Sequence, residues 1–523
     1  NSTGSTITGA TGVTTNSTTV TNAGSITATT GTLQINASTV NNNAGGLLEA
    51  SAGNVNFEAP GALAVNLGAG SNINAIGAGN DVSFNPATSG AITIAGAGDG
   101  NISAADQVIL NGGAGAVLAN LNQVTGTITG SGAGFSVTTD TGSLTANTVT
   151  ATGAVVLNAI GGGLTATGVS TNTGNINLTA GIGNMLATTI NNTSAAGTTN
   201  LSVVAGGDLT ANGVTGNGAV TLANTSGAGF GDVNLTGDVT SNNGLLTITS
   251  GTAANAAVTL SANADASGNS VNINTQQLSL GNTATVNADT TGINIISNSA
   301  SGDLVVDMVT GSAINANAGG QTINFNSAGT PNSVKINTNP TQGLISASTG
   351  FVNFNGGTEA VNVDVNQIVG CVGGSGDPFN VTVASGNLSV GGTSAGNLVF
   401  LNNSGDITFC SNCTSTSGSI SATTTNAGSS VIVSTGVTVN AATTVTFTTN
   451  GGSVDNNGTV IGGTGVTLNT ATVDNDGSIT ATTGTLQINA STVNNNAGST
   501  LQASAGSVNF EAPGALTVNL GVG

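Results

Sequence analysis

The sequence contains no histidine, tryptophan or tyrosine, and Lys335 is its only cation among 523 residues. Without histidine, the commonest general base and metal ligand is missing. Without clustered lysine or arginine, nothing can displace counterions from phosphates, which excludes nucleic acid as an ordinary partner. Charged residues make up 4% of the chain, where an average globular protein has about 25%. The 21 carboxylates against one lysine give a formal charge of -20. A mean hydropathy of +0.24 with such sparse charge does not fit a disordered acidic tail, so the chain is expected to fold. No apolar run approaches the ~18 residues of a membrane-spanning helix. No basic, hydrophobic leader opens the sequence, so Asn1 is not expected to be a natural start.

What the sequence has instead is small residues, 82 of them glycine, and repetition. Residues 24–70 and 477–523 are identical at 41 of 47 aligned positions, an offset of 453. The register runs back further, because Gly9, Gly12, Val13, Asn16 and Val20 fall on Gly462, Gly465, Val466, Asn469 and Val473. Residues 1–453 thus read as one full period, and residues 454–523, which match 1–70, as the start of the next. The expected context is a longer tandem array.

A shorter beat runs inside the long one. Val437 and Val439, Val445 and Phe447, and Val466 and Leu468 show the spacing of two that places both side chains on one strand face, and Gly, Asn, Ser or Thr turns follow. Strand centres near Val437, Val445, Val454, Val460, Val466, Val473 and Ile479 recur faster than the roughly 8–12-residue turn spacing of sandwiches and barrels. Helical spacing is absent. Three strand-and-turn units of about seven residues make a coil of about 21, which predicts an all-β fold. The expected architecture is a parallel β-helix solenoid with three short strands per coil, continuous over 1–523. At about 4.8 Å per coil, one period would rise about 100 Å. Phe57, Phe84, Phe325, Phe354 and Phe510 are expected in its interior rows.

With that beat and period, segments 24–38 (GSITATTGTLQINAS) and 46–59 (GLLEASAGNVNFEA) resemble the repeat shaft of bacterial filamentous-haemagglutinin-type exoproteins and related β-helical surface adhesins. The resemblance is compositional and covers the whole chain. It implies a right-handed β-helix, exported across the outer membrane and used in attachment, sheath or biofilm formation. The family's N-terminal secretion domain has no counterpart in these residues.

Candidate sites are few. Cys371, Cys410 and Cys413 lack the fourth ligand of a zinc site and the helix of a redox motif. They are read as disulfide candidates, Cys371 with one of the pair or Cys410 with Cys413, against a buried and reduced alternative. Asp81 and Asp99, in Gly-rich turns resembling single calcium turns of a nonapeptide β-roll, are the calcium candidates, although the tandem that builds such sites is missing. Asp303 with Asp307 and Asp474 with Asp476 lack the cations and aromatics that surround polysaccharide-cleaving acids. Catalysis and cofactors are not expected. The reading is a structural filament or adhesin shaft at the cell surface or outside the cell. Its expected partners are end-to-end copies or the next tandem repeat, other filaments, or surface glycans. The alternatives are a carbohydrate- or ice-binding solenoid, which a continuous surface file of like residues across four coils would favour, and a β-helical polysaccharide-degrading enzyme.

Overall fold

A computed structural model describes the chain except residues 86, 228–230, 254, 299–302, 327–331, 338–341 and 523. Among the described residues there are 53 strands and no helix, and the strand pairings are parallel. The chain divides into two compact units, Asn1–Ala256 and Ala257–Gly523.

The first unit opens with three short strands per coil: Thr6–Gly9, Val13–Asn16 and Thr19–Asn22, followed by Ser25–Ala28, Leu33–Asn36 and Thr39–Asn42. Each strand pairs with the one a full coil later, Thr6 beside Ser25, Val13 beside Leu33 and Thr19 beside Thr39. The cause is the two-residue alternation. Leu33 and Ile35, or Val55 and Phe57, point inward and are fully buried, while Gln34 and Asn56 point outward. Stacking then buries each inward residue against its equivalents above and below.

Farther along this unit, two of the three faces join into one bent strand. Leu144–Ala151, Leu164–Thr171, Met185–Asn192 and Leu209–Gly216 each slip their in-out alternation by one residue. The slip falls on Thr148, Gly168, Thr189 and Gly213, whose φ values are 56°, 67°, 55° and 67°. A single left-handed residue therefore turns the corner. The third face continues as Phe135–Thr139, Val155–Ala159, Ile176–Ile182 and Thr199–Ala205.

The second unit uses the same devices. Leu344–Asn355 bends near Ser348, with φ 48°, and from Ser453–Asn456 onward the coils return to three short strands. The solenoid is thus as expected, but coil length varies more than a uniform 21. Val361 pairs with Phe379 after 18 residues and Ile293 with Ile323 after 30.

Aromatic rings stack in the interior. Phe57 and Phe84 have centroids 4.8 Å apart, Phe325 and Phe354 4.9 Å, and all four are fully buried. Phe510 occupies the inward column, paired with Ile488, yet it is 38% exposed. The long period is a structural repeat as well. Six pairings between Thr6 and Leu67 recur at 459–520, from Thr459 beside Ser478 to Val493 beside Val518, each 453 residues from its counterpart in residue order and register.

Candidate functional site

The cysteines are resolved by topology. Phe351 stands beside Cys371, Cys371 beside Ser389, and Ser389 beside Thr408, two residues before Cys410. The structure joins Cys371 to Cys410, with Cα atoms 6.3 Å apart, so the bridge ties coils on either side of an intervening one. In that coil the Val390 carbonyl lies 3.4 Å from Cys410 Sγ, and a Cβ on Gly391 would lie 1.9 Å from Ser411 Oγ. Cys413 is a buried free thiol paired in register with Val439, and burial pushes its pKa far upward. Such a thiol is not a nucleophile.

Several of the carboxylates bond neighbouring coils. Asp81 accepts from the Gln107 backbone N–H at 3.1 Å, while Asp99 is exposed. Gln277 Nε2 donates to Asp307 at 3.3 Å, and Asp303 is exposed. Asn494 Nδ2 donates to Asp474, and Asn496 Nδ2 to Asp476 at 2.8 Å. Among the described residues, no group of three or more Cys, Asp or Glu side chains is placed to hold a metal ion. Asp455 stands directly beside Asp474. Burial raises its pKa, the charges of Asp474 and Asp406 add to the rise, and a hydrogen bond with Ser453 opposes it.

The polar feature that residue-by-residue reading missed is a set of asparagine ladders. Asn22 and Asn42 are fully buried at one corner, and Asn22 Nδ2 donates to Asn42 Oδ1 at 2.8 Å and to Leu47 O at 3.1 Å. Asn42 Nδ2 in turn donates to Gly46 O and Asn72 O. One period later, Asn475 donates to Asn495 Oδ1 at 2.7 Å and to Thr500 O at 3.1 Å, the same bonds made by the counterpart residues. The signal was present in the recurring triplets Val20-Thr21-Asn22, Val40-Asn41-Asn42 and Val473-Asp474-Asn475, whose phase relative to the strand never changes. Other ladders run on outward faces, one of them through Asn272, Asn294, Asn324 and Asn353, with successive bonds of 2.9, 2.8 and 3.0 Å.

One concave feature recurs with the period. A groove of about 390 Å³ is lined by Asn16, Ser17, Asn36, Ser38, Glu58 and Pro60 among others, and the counterparts Asn489, Glu511 and Pro513 line one of about 260 Å³. In the first, Glu58 accepts from Ala87 N at 2.7 Å and Thr88 Oγ1 at 2.8 Å, so its carboxylate holds the corner of the next coil. The exposed apolar positions of the first unit include Ile160, just after Val155–Ala159, and Ile182 and Val204, in the last two residues of the next aligned strands Ile176–Ile182 and Thr199–Ala205. No helix among the described residues is long and apolar enough to cross a membrane. No protein-family model, no curated protein and no solved structure matches the chain.

Proposed function

We propose that this β-solenoid repeat protein is part of the shaft of an extracellular filament or surface adhesin, built from tandem repeats of about 453 residues. The observation that carries the reading is the recurrence of strand register, asparagine ladder and groove at the same offset. A period whose opening coils recur with the same hydrogen-bond register can be added end to end without a change of geometry there, which is what a filament needs. The coil of Thr500–Ala503, Val508–Glu511 and Thr517–Leu520 would then take a further coil as its counterpart takes Asn72–Ala75 and Val82–Phe84. Its exposed Phe510, Val518 and Leu520 supply the apolar contact, since their counterparts Phe57, Val65 and Leu67 are buried.

An extracellular setting is supported by the Cys371–Cys410 bridge, which persists outside reducing compartments. A protease that cuts after basic residues would find one site in 523 residues. The role is mechanical and non-catalytic in this reading. The test is the mass of the native polypeptide under full denaturation, with electron microscopy of the native material. A chain several periods long with an axial repeat of about 100 Å is expected. A discrete species near 49.4 kDa, monomeric in solution, would count against the tandem filament.

A further inference from the structure

Among the described residues the fold hides its aromatic rings, and one ring breaks that rule. Nine phenylalanines are fully buried and Phe510 belongs to an inward column, whereas Phe351 points out of its strand and is 48% exposed. It stands in Leu344–Asn355, where Val352 and Phe354 take the interior and Phe351 and Asn353 face outward.

Around the ring the surface is unusual in three ways. The file of outward residues next to it is the ladder Asn272, Asn294, Asn324 and Asn353, in register over four coils. Each link uses one N–H and one oxygen lone pair, so every amide keeps a second donor and acceptor for a ligand. The file therefore offers paired polar groups about every 4.8 Å along the stacking direction. It then ends on bare backbone. Gly373 follows Asn353 in register, and a Cβ there would lie 3.0 Å from Asn353 Oδ1, which has no protein donor. Finally, the ring's own file runs Thr322, Phe351, Cys371, Ser389, with Cys371 fixed by its bridge to Cys410. Neither file contains a charged residue, in a chain of formal charge -20.

We propose that this face binds a neutral polysaccharide chain lying along the stacking direction. The apolar C–H face of one sugar ring stacks on Phe351, and the hydroxyls of neighbouring rings bond the free amide groups of Asn353, Asn324 and Asn294. Aromatic faces attract the weakly positive edges of C–H groups, and spaced polar groups fix orientation in such sites. The absence of charge in both files favours an uncharged ligand. A folded protein partner fits less well, because a stable interface buries about 800 Å² per partner around several apolar anchors, and this face offers one. The inference does not depend on whether the chain forms a tandem filament.

The experiment is affinity electrophoresis of the full 523-residue chain in native gels containing hydroxyethylcellulose, laminarin, galactomannan or the polyanion alginate. Retardation by at least one neutral polymer and none by alginate is expected. Phe351→Ala should weaken that retardation at least tenfold, while Val399→Ala, an outward change on Leu398–Asn402 in another file, should leave it unchanged. Phe351→Trp provides a second readout in a chain that has no tryptophan or tyrosine. It should keep binding, and its emission should shift when the retarding polymer is added. Far-UV circular dichroism verifies that the variants are folded. No retardation by any neutral polymer, retardation by alginate alone, or full retardation of folded Phe351→Ala would each overturn the proposal.

Discussion

Phe57 lies flat on Phe84, with centroids 4.8 Å apart and planes 4° from parallel, whereas its repeat counterpart Phe510 is 38% exposed. Identical residues in identical registers thus differ in what covers them. Phe57→Ala should cost about 3–5 kcal/mol, the range for a fully buried ring. In the isolated 523-residue chain Phe510→Ala should cost less than half as much as Phe57→Ala, whereas in a chain that carries the next coil the two should cost alike. Denaturant melts of the two variants check this, and equal losses in the isolated chain would show that ring burial does not set the cost.

The buried ladder makes a sharper prediction. Asn42→Ala removes the donor to Gly46 O and Asn72 O and the acceptor of Asn22. Gly46 O keeps the Asn72 N–H and Asn22 Nδ2 keeps Leu47 O, so the loss is that of three hydrogen bonds at about 0.5–1.5 kcal/mol each, about 2–4 kcal/mol in all. Asn42→Asp should be worse near neutral pH, because an ionised carboxylate would face two carbonyl oxygens without a proton to donate. Its deficit should shrink on acidification. A pH-independent Asn42→Asp deficit, followed by thermal melting, would rule out this role for the amide.

Much of this is legible in the sequence itself. The alternation of Val437 with Val439, or Val466 with Leu468, carries the strand faces, and the 453-residue offset carries the repeat. The corners were not legible. Thr148 and Thr189 take left-handed φ, which a β-branched residue adopts rarely, so no local preference marks them. They are held there by coil stacking. The pairing of Cys371 with Cys410 was open for a similar reason, since 39 residues of separation become two coils only once each corner's length is known. The surface around Phe351 was also hidden. Its neighbours Asn353, Cys371 and Gly373 are drawn together by register across coils whose spacing varies.

The cysteines predict a thiol count. In the native oxidised protein no thiol should react with an aromatic disulfide reagent, because Cys413 is buried and its thiolate strongly disfavoured. Denaturation without reductant should release one thiol, and denaturation with reductant all three. Reduction of the 39-residue loop should also cost the unit Ala257–Gly523 about 2–4 kcal/mol. Three reactive thiols without reductant would contradict the bridge.

Asp455 gives the chain a pH dependence of defined sign. Burial raises its folded pKa above the unfolded value, and Asp474 and Asp406 add to the rise. Between those two values the native state binds more protons than the unfolded state, so stability falls as pH rises through the folded pKa. Asp455→Asn mimics the protonated form and should stabilise the unit near neutral pH. A gain of about 0.2–1 kcal/mol is expected, as for relief of directly opposed like charges. The gain should vanish below the ordinary carboxylate pKa of about 3.9, where the wild-type side chain is itself neutral. Melting temperatures from neutral to acidic pH test this, and a gain that persists at the acid end would assign the effect to something other than ionisation.

Two glycines a few residues apart are required for different physical reasons. Gly168 has φ 67° and lies between Thr148 and Thr189 in the file of left-handed corners, but a Cβ there would meet nothing closer than 3.4 Å. Its constraint is conformational, and Gly168→Ala should cost about 1–2 kcal/mol. Asn tolerates the left-handed region better, so Gly168→Asn should recover part of that loss. Gly162 has no left-handed φ. A Cβ on it would lie 2.1 Å from Gly142 O and 2.3 Å from Gly142 C, the backbone of the preceding coil. Backbone locked into a parallel ladder cannot move aside as a flexible side chain would, so Gly162→Ala must separate the coils locally. Its cost should reach or exceed the top of the ~1–3 kcal/mol range of overpacked sites. Gly162→Asn should be no better than Ala, because the clash is with Cβ itself. Urea midpoints of the four variants decide the matter. Rescue by Asn at 168 but not at 162 is the expected pattern, and equal rescue at both would show that coil-to-coil approach is not what reserves position 162 for glycine.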